Sequence, residues 1–205
     1  MRLIEQKNLE VQSTNWEEDM QKKNLKQIKL AILLAFGLAS AAQAVTVTST
    51  YINQTGTEIR GIFGRYSTPT IYINQYACGE QSLSAFACGP YTISVGTSFL
   101  QNAETRYGNY AAKAILGHEW GHTIQFKYNI NQRAPYMELQ ADCAGGSFIR
   151  YAVDTLRYPS FLTTAVNTAR AYAGGDHGTP AQRDYYTRWG YTNGISKCLN
   201  NLPRV

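Results

Sequence analysis

Charge is scarce in this chain: Asp, Glu, Lys and Arg make up 16% of its 205 residues, against about 25% in ordinary globular domains. That shortage, beside 44% hydrophobic and 12% aromatic residues, excludes an intrinsically disordered protein, which needs much charge and little apolar material. Internal repeats and low-complexity segments are missing, so collagen-like, coiled-coil and solenoid classes fall away. No apolar run approaches the roughly 20 residues that a helix needs to cross a bilayer. Lys and Arg exceed Asp and Glu by 19 to 14, but they are scattered, without a basic run or a nucleic-acid-binding motif, so no nucleic-acid partner is expected. Closely spaced cysteine pairs such as C-x₂-C are absent too, which excludes a cysteine-built zinc site. Histidine is rarest of the informative residues, with three copies, His118, His122 and His177.

What is present begins with a targeting signal. Lys22, Lys23, Lys26 and Lys29 precede an apolar run from Leu30 to Ala39, followed by Ala42-Gln43-Ala44. A basic segment, a short apolar segment and an A-x-A site make a cleavable signal peptide over residues 1–44, and the run is too short to remain as a membrane anchor. The acidic stretch Glu17-Glu18-Asp19 suits no signal, which points to Met20 as the start. The expected product, residues 45–205, is one exported domain, periplasmic or secreted. It carries 13 Lys and Arg against 9 Asp and Glu.

All four cysteines, Cys78, Cys88, Cys143 and Cys198, lie in that domain. An even number in an exported chain reads as two disulfides. Three pairings are possible; the favoured one joins Cys78 to Cys88 locally and Cys143 to Cys198 across the C-terminal half.

From Val45 to about Thr97 the chain is rich in Thr, Ile, Val and Tyr. Val45–Thr48, Thr70–Ile73 and Tyr91–Val95 alternate as short strands. Beyond Asn109, an expected N-cap, the pattern turns helical to about Tyr128. Pro135 opens a second helix to about Arg157. Ser160 caps a third, ended by Gly174-Gly175. Thr179-Pro180-Ala181-Gln182 is a capping box opening a fourth, with Gly190 as its stop. Strands followed by helices predict an α+β domain: a small N-terminal antiparallel sheet, then a helical region.

The chemistry lies in three stretches. In His118-Glu119-Trp120-Gly121-His122, histidines at i and i+4 project from one helical face and can reach one ion. Glu119 can then act on a water at that ion as general base. Gly121 costs about 1 kcal/mol relative to Ala in a helix, so another element must press against it, with the helix bearing Gly145-Gly146 the candidate. In the second stretch, Glu138 is placed to return as a third ligand, leaving a fourth position for water. Asp142, one turn on, can accept the second N–H of a ligating imidazole. In His177-Gly178-Thr179-Pro180-Ala181-Gln182-Arg183, His177 is a third ligand in place of Glu138 or a catalytic donor to an oxyanion. Arg183 anchors a substrate carboxylate or pairs with a buried acid.

Taken in order, HEWGHTIQ, ELQADCAGG and HGTPAQR resemble the bacterial neutral zinc metallopeptidases, a zincin group, and the likeness runs over roughly residues 60 to 200. Pro69-Thr70-Ile71, Cys78-Gly79 and Gly89-Pro90-Tyr91 follow its order as well. The resemblance implies a zincin-like fold and one Zn²⁺ per chain, held by His118, His122 and Glu138, with Glu119 catalytic. The chain departs where relatives carry a longer segment with Cys-Pro-x-Asp, and its Cys88 precedes Gly89-Pro90 instead of following it.

The expected activity is hydrolysis of a peptide or protein substrate, bound in extended form along an edge strand at Tyr91–Thr97. Two other readings stand beside it: a non-enzymatic secreted zinc-binding protein on the same scaffold, and a zinc amide hydrolase acting on cell-wall peptides.

Overall fold

The computed structural model describes residues 44–204; the expected signal segment and the Met20 start lie outside the described residues. The domain's first element is a helix that was not expected, directly after the segment expected as a strand. Helix α1 (Ser49–Phe63) starts at Thr48, whose hydroxyl accepts the Tyr51 N–H, and it buries Ile52, Thr55, Gly56, Ile59 and Phe63. These positions recur at helical spacing; the β-branched residues around Thr48 hid a cap, not a strand. Val45–Thr48 belongs to neither sheet and is tied by the Val47 N–H to the Gln101 side chain.

Five short strands follow: β1 (Thr70–Ile73), β2 (Tyr76–Ala77), β3 (Glu80–Gln81), β4 (Ala85–Gly89) and β5 (Thr92–Val95). The main sheet has the order β1-β5-β4, with β1 parallel and β4 antiparallel to β5. The sheet is therefore mixed, not antiparallel as expected, because alternation reports which residues face the core and not strand direction. It also makes β5 the central strand. The expected substrate edge at Tyr91–Thr97 is occupied on both sides, and the free edge nearest the helices is β4. The Cys78–Cys88 disulfide pins the β2–β3 hairpin to β4 where its register shifts.

Helix α2 (Thr97–Tyr107) was not expected at all; its buried Leu100, Ala103 and Glu104 are spaced i, i+3, i+4. Glu104 reaches across to accept the N–H groups of Tyr110 (2.8 Å) and Ala112 (3.0 Å), capping helix α3 (Ala111–Lys127) from outside. Asn109, the expected cap, instead accepts the N–H of Val45. Helix α3 is buried on nearly every side. It lies against α1, α2, β4 and the next two helices, α4 (Tyr136–Asp154) and α5 (Leu162–Ala171). Trp120, fully buried, donates its indole N–H to the carbonyl of Ser67.

Glycine sets the spacing of α3 against α4. A Cβ on Gly121 would stand 2.9 Å from Ala141 Cα and 3.0 Å from Ala144 Cβ, and one on Gly117 would lie 3.4 Å from Gly145 Cα. The close contact expected at Gly121 is present, against Ala141 and Ala144. Gly146 faces elsewhere, toward Thr187.

Helix α4 ends at Asp154, before the expected Arg157, and α5 begins at Leu162 with buried Phe161 at its start and no side-chain cap from Ser160. A short 3₁₀ turn (Gly175–His177) follows. Helix α6 (Pro180–Asn193) carries the predicted Thr179/Gln182 capping box but passes through Gly190, ending at Gly194 with φ +80°. A Cβ at Gly190 would collide with the Cys143 carbonyl, so that glycine serves helix contact, not termination. Cys143–Cys198 then ties α7 (Ile195–Asn200) to α4. Both disulfides join the expected partners and fit an oxidising compartment. No helix among the described residues is long and apolar enough to cross a membrane.

Candidate metal centre

His118 and His122 stand one turn apart on α3, and Glu138 faces them from the first turn of α4. Their ligand atoms lie within 4.8 Å of one another, a group that can hold one metal ion. The two Nε2 atoms are 3.1 Å apart, and the Glu138 oxygens are 3.2 Å from His118 Nε2 and 3.4 Å from His122 Nε2. Three donor atoms that converge in this way can all be satisfied by one cation between them.

Each imidazole is held by its other nitrogen. His118 Nδ1 lies 2.9 Å from Asp142 Oδ1, and His122 Nδ1 lies 2.7 Å from Gln125 Oε1. Asp142 is in turn gripped by Arg183, whose Nε and Nη2 each donate to a carboxylate oxygen at 2.7 Å. The pair is buried, with side chains 3% and 4% exposed. Burial acts to raise the Asp142 pKa, but the facing guanidinium outweighs it and holds Asp142 below the ordinary carboxylate range. Burial likewise acts to lower His118, yet its hydrogen bonds to Asp142 and Glu138 push it up to about 10 in the absence of a cation. Glu138, desolvated but facing two imidazoles, is driven well below its usual value.

Glu119 is 7% exposed and accepts the backbone N–H of Ala87 on β4. Burial raises its pKa, opposed by His118 and His122. A carboxylate shifted upward beside a ligand cluster is suited to taking a proton at neutral pH. His177 is half exposed, with its Nε2 3.6 Å from Glu138 Oε2. It stands beside the trio, and Glu138 takes the third position. Of the two roles open to Arg183, the structure gives the ion pair with a buried acid.

A cavity of about 140 Å³ opens beside His118 and Glu119, with Phe99, Ile115, Ile149, Ala165, Ala169 and Tyr172 among its walls. Two residues of the site went unassigned in the sequence. Gln125 and Gln140 are 1% exposed and bonded to each other; a glutamine three residues after a ligand histidine, on the same helical face, was the available signal. No protein-family model, no curated protein and no solved structure matches the chain.

Proposed function

We propose that the protein is an exported zinc-dependent peptidase of the zincin kind, hydrolysing peptide bonds with Glu119 as general base. The observation that carries this reading is a three-ligand cluster with a buried carboxylate beside it that belongs to neither the ligand trio nor the Asp142–Arg183 pair. Zinc suits the donors. Tetrahedral zinc about 2.0–2.2 Å from each ligand separates neighbouring ligand atoms by about 3.3 Å, and the separations here are 3.1, 3.2 and 3.4 Å. A structural site is closed by four protein ligands, whereas a catalytic one has three and an open place; that favours catalysis over a purely scaffolding ion.

Zinc held there supplies Lewis acidity toward a carbonyl and acidifies water. Glu119 takes a proton from the attacking water as its oxygen bonds to the peptide carbon. It then passes that proton to the amide nitrogen as the C–N bond breaks, leaving an acid and an amine. Asp142, fixed by Arg183, holds His118 with Nε2 free toward the ion. The substrate lies extended along the open edge of β4, where the Ala87 N–H already reaches Glu119.

Purified protein is expected to contain one zinc per chain by elemental analysis and to degrade casein, with activity lost to a chelator and restored by zinc. Release of peptides from purified cell wall, with casein intact, would replace the peptidase reading by the cell-wall amidase one. Zinc bound without either activity would leave the binding-protein reading.

A further inference from the structure

We propose that the cavity beside Glu119 is a binding site for one apolar side chain of the substrate, up to phenyl size, and that Ala165 and Ala169 of α5 set that limit. This rests on the peptidase reading for its substrate, but the cavity's selectivity follows from its own walls. Its volume is about 140 Å³, close to that of an engineered apolar cavity of about 150 Å³ that admits benzene. Aliphatic and aromatic side chains from four helices line it.

His118, Glu119 and His177 border it on the side of the ligand cluster; the other polar groups in its walls are already engaged. Asp142 and Arg183 bond to each other, the Thr168 hydroxyl donates to the Thr164 carbonyl, and that of Thr187 to the Arg183 carbonyl. Away from that side, a polar or charged side chain entering here would be stripped of water with no partner offered, at a cost of several kcal/mol. Ala165 and Ala169 are small residues on one wall and belong neither to the ligand trio nor to the proton-taking group, so lengthening either narrows the space.

The test is product mapping by mass spectrometry on casein digests, with Ala169→Leu as the variant. Wild type is expected to cut with Leu, Phe, Met or Ile at one fixed position relative to the bond. Ala169→Leu should lose those cuts by about 10- to 200-fold, the discrimination an apolar pocket provides, and keep cuts with Ala or Gly there. Cleavage by wild type with no such preference, or a profile unmoved by Ala169→Leu, overturns the proposal and leaves the peptidase reading standing. Benzene serves as a probe that needs no turnover. It should raise the Tm of wild type and not of Ala169→Leu. That result in a protein without peptidase activity overturns the peptidase reading and keeps the apolar site, while no benzene response in wild type overturns the site itself.

A different observation concerns how His122 is held, and here the geometry points to Gln125 and Gln140 as positioning residues for the metal. The Gln125 amide oxygen faces His122 Nδ1 at 2.7 Å. Its NH₂ group donates to the Met137 carbonyl at 2.7 Å and to Gln140 Oε1 at 3.0 Å. Gln140 donates onward to the Cys198 carbonyl at 3.0 Å. An amide oxygen only accepts, so Nδ1 must carry the proton and Nε2 must present its lone pair to the ion. The chain of amides fixes that choice and ends on the backbone of a half-cystine, which gives the Cys143–Cys198 disulfide a route to His122.

This rests on the metal reading. Gln125→Leu is expected to weaken zinc binding by about 10- to 100-fold in competition with a chromophoric chelator, and Gln140→Leu to weaken it less. With three histidines in the sequence, ¹⁵N NMR of the zinc-free protein can read the His122 tautomer: Nδ1–H in wild type, mixed in Gln125→Leu. Unchanged zinc affinity in Gln125→Leu, or an Nε2–H tautomer in wild type, overturns the proposal. A wild-type protein that binds no zinc but shows the Nδ1–H form overturns the metal reading and keeps the amide chain.

Discussion

Glu119→Gln is expected to keep its zinc and lose its turnover, with kcat lower by about 10²- to 10⁴-fold, the contribution typical of a positioned general base. The replacement preserves shape and keeps an oxygen to accept the Ala87 N–H, but an amide has no affinity for the proton that must leave water. Glu138→Gln should behave in the opposite way. Glu138 faces both imidazoles within 3.4 Å, so exchanging its anionic oxygen for a neutral amide weakens the metal site directly. Metal content after dialysis separates the two variants on one measurement. Near-normal peptidase activity in Glu119→Gln would remove the mechanism, and loss of zinc there with retention in Glu138→Gln would reverse the two roles.

The second large effect is on stability. Arg183→Ala leaves the Asp142 carboxylate buried, 3% exposed, without its guanidinium and with His118 alone beside it. Breaking a buried pair in this way costs about 3–5 kcal/mol, which for a domain of this size is a fall in Tm of roughly 6–20 °C. The paired replacement Asp142→Leu/Arg183→Leu should recover most of that loss while failing to hold His118. Acid gives a further check. Asp142 is held below its ordinary value by Arg183, so its share of stability is present above about pH 4 and disappears as pH falls through the depressed pKa. In Arg183→Ala that depression is reduced to the part His118 supplies, and the gap between variant and wild type should narrow on acidification. A Tm within about 2 °C of wild type at neutral pH would show that Asp142 is not charged and buried as described.

Reading the sequence succeeded where the decisive contacts are local. His118 and His122 fall on one face because a helix repeats every 3.6 residues. Thr179 and Gln182 form their capping box across three residues, and the Cys78–Cys88 loop spans 10. It failed where the partner is remote in the chain. Thr48 was counted with a strand because its neighbours are β-branched, although Ile52, Ile59 and Phe63 already carried the helical period. Asn109 looked like a cap, but the groups it was expected to satisfy are held by Glu104 from another helix. Gly190 looked like a stop, since nothing in its surroundings along the chain reveals the Cys143 carbonyl pressed against it.

By itself, then, the sequence determined the residue types of the candidate cluster and their spacing, the acid between its two histidines, and that four cysteines can close two disulfides. These depend on chain geometry and composition over a few residues or on simple counting. Only the tertiary structure decided that β5 lies inside the sheet and β4 offers its edge, since strand order is a matter of long-range hydrogen bonding. It also decided that Arg183 serves Asp142 and that Gln125 and Gln140 stand behind His122. Those assignments depend on how closely α3, α4 and α6 approach, and that distance is set by glycines whose neighbours across the interface are invisible in one dimension.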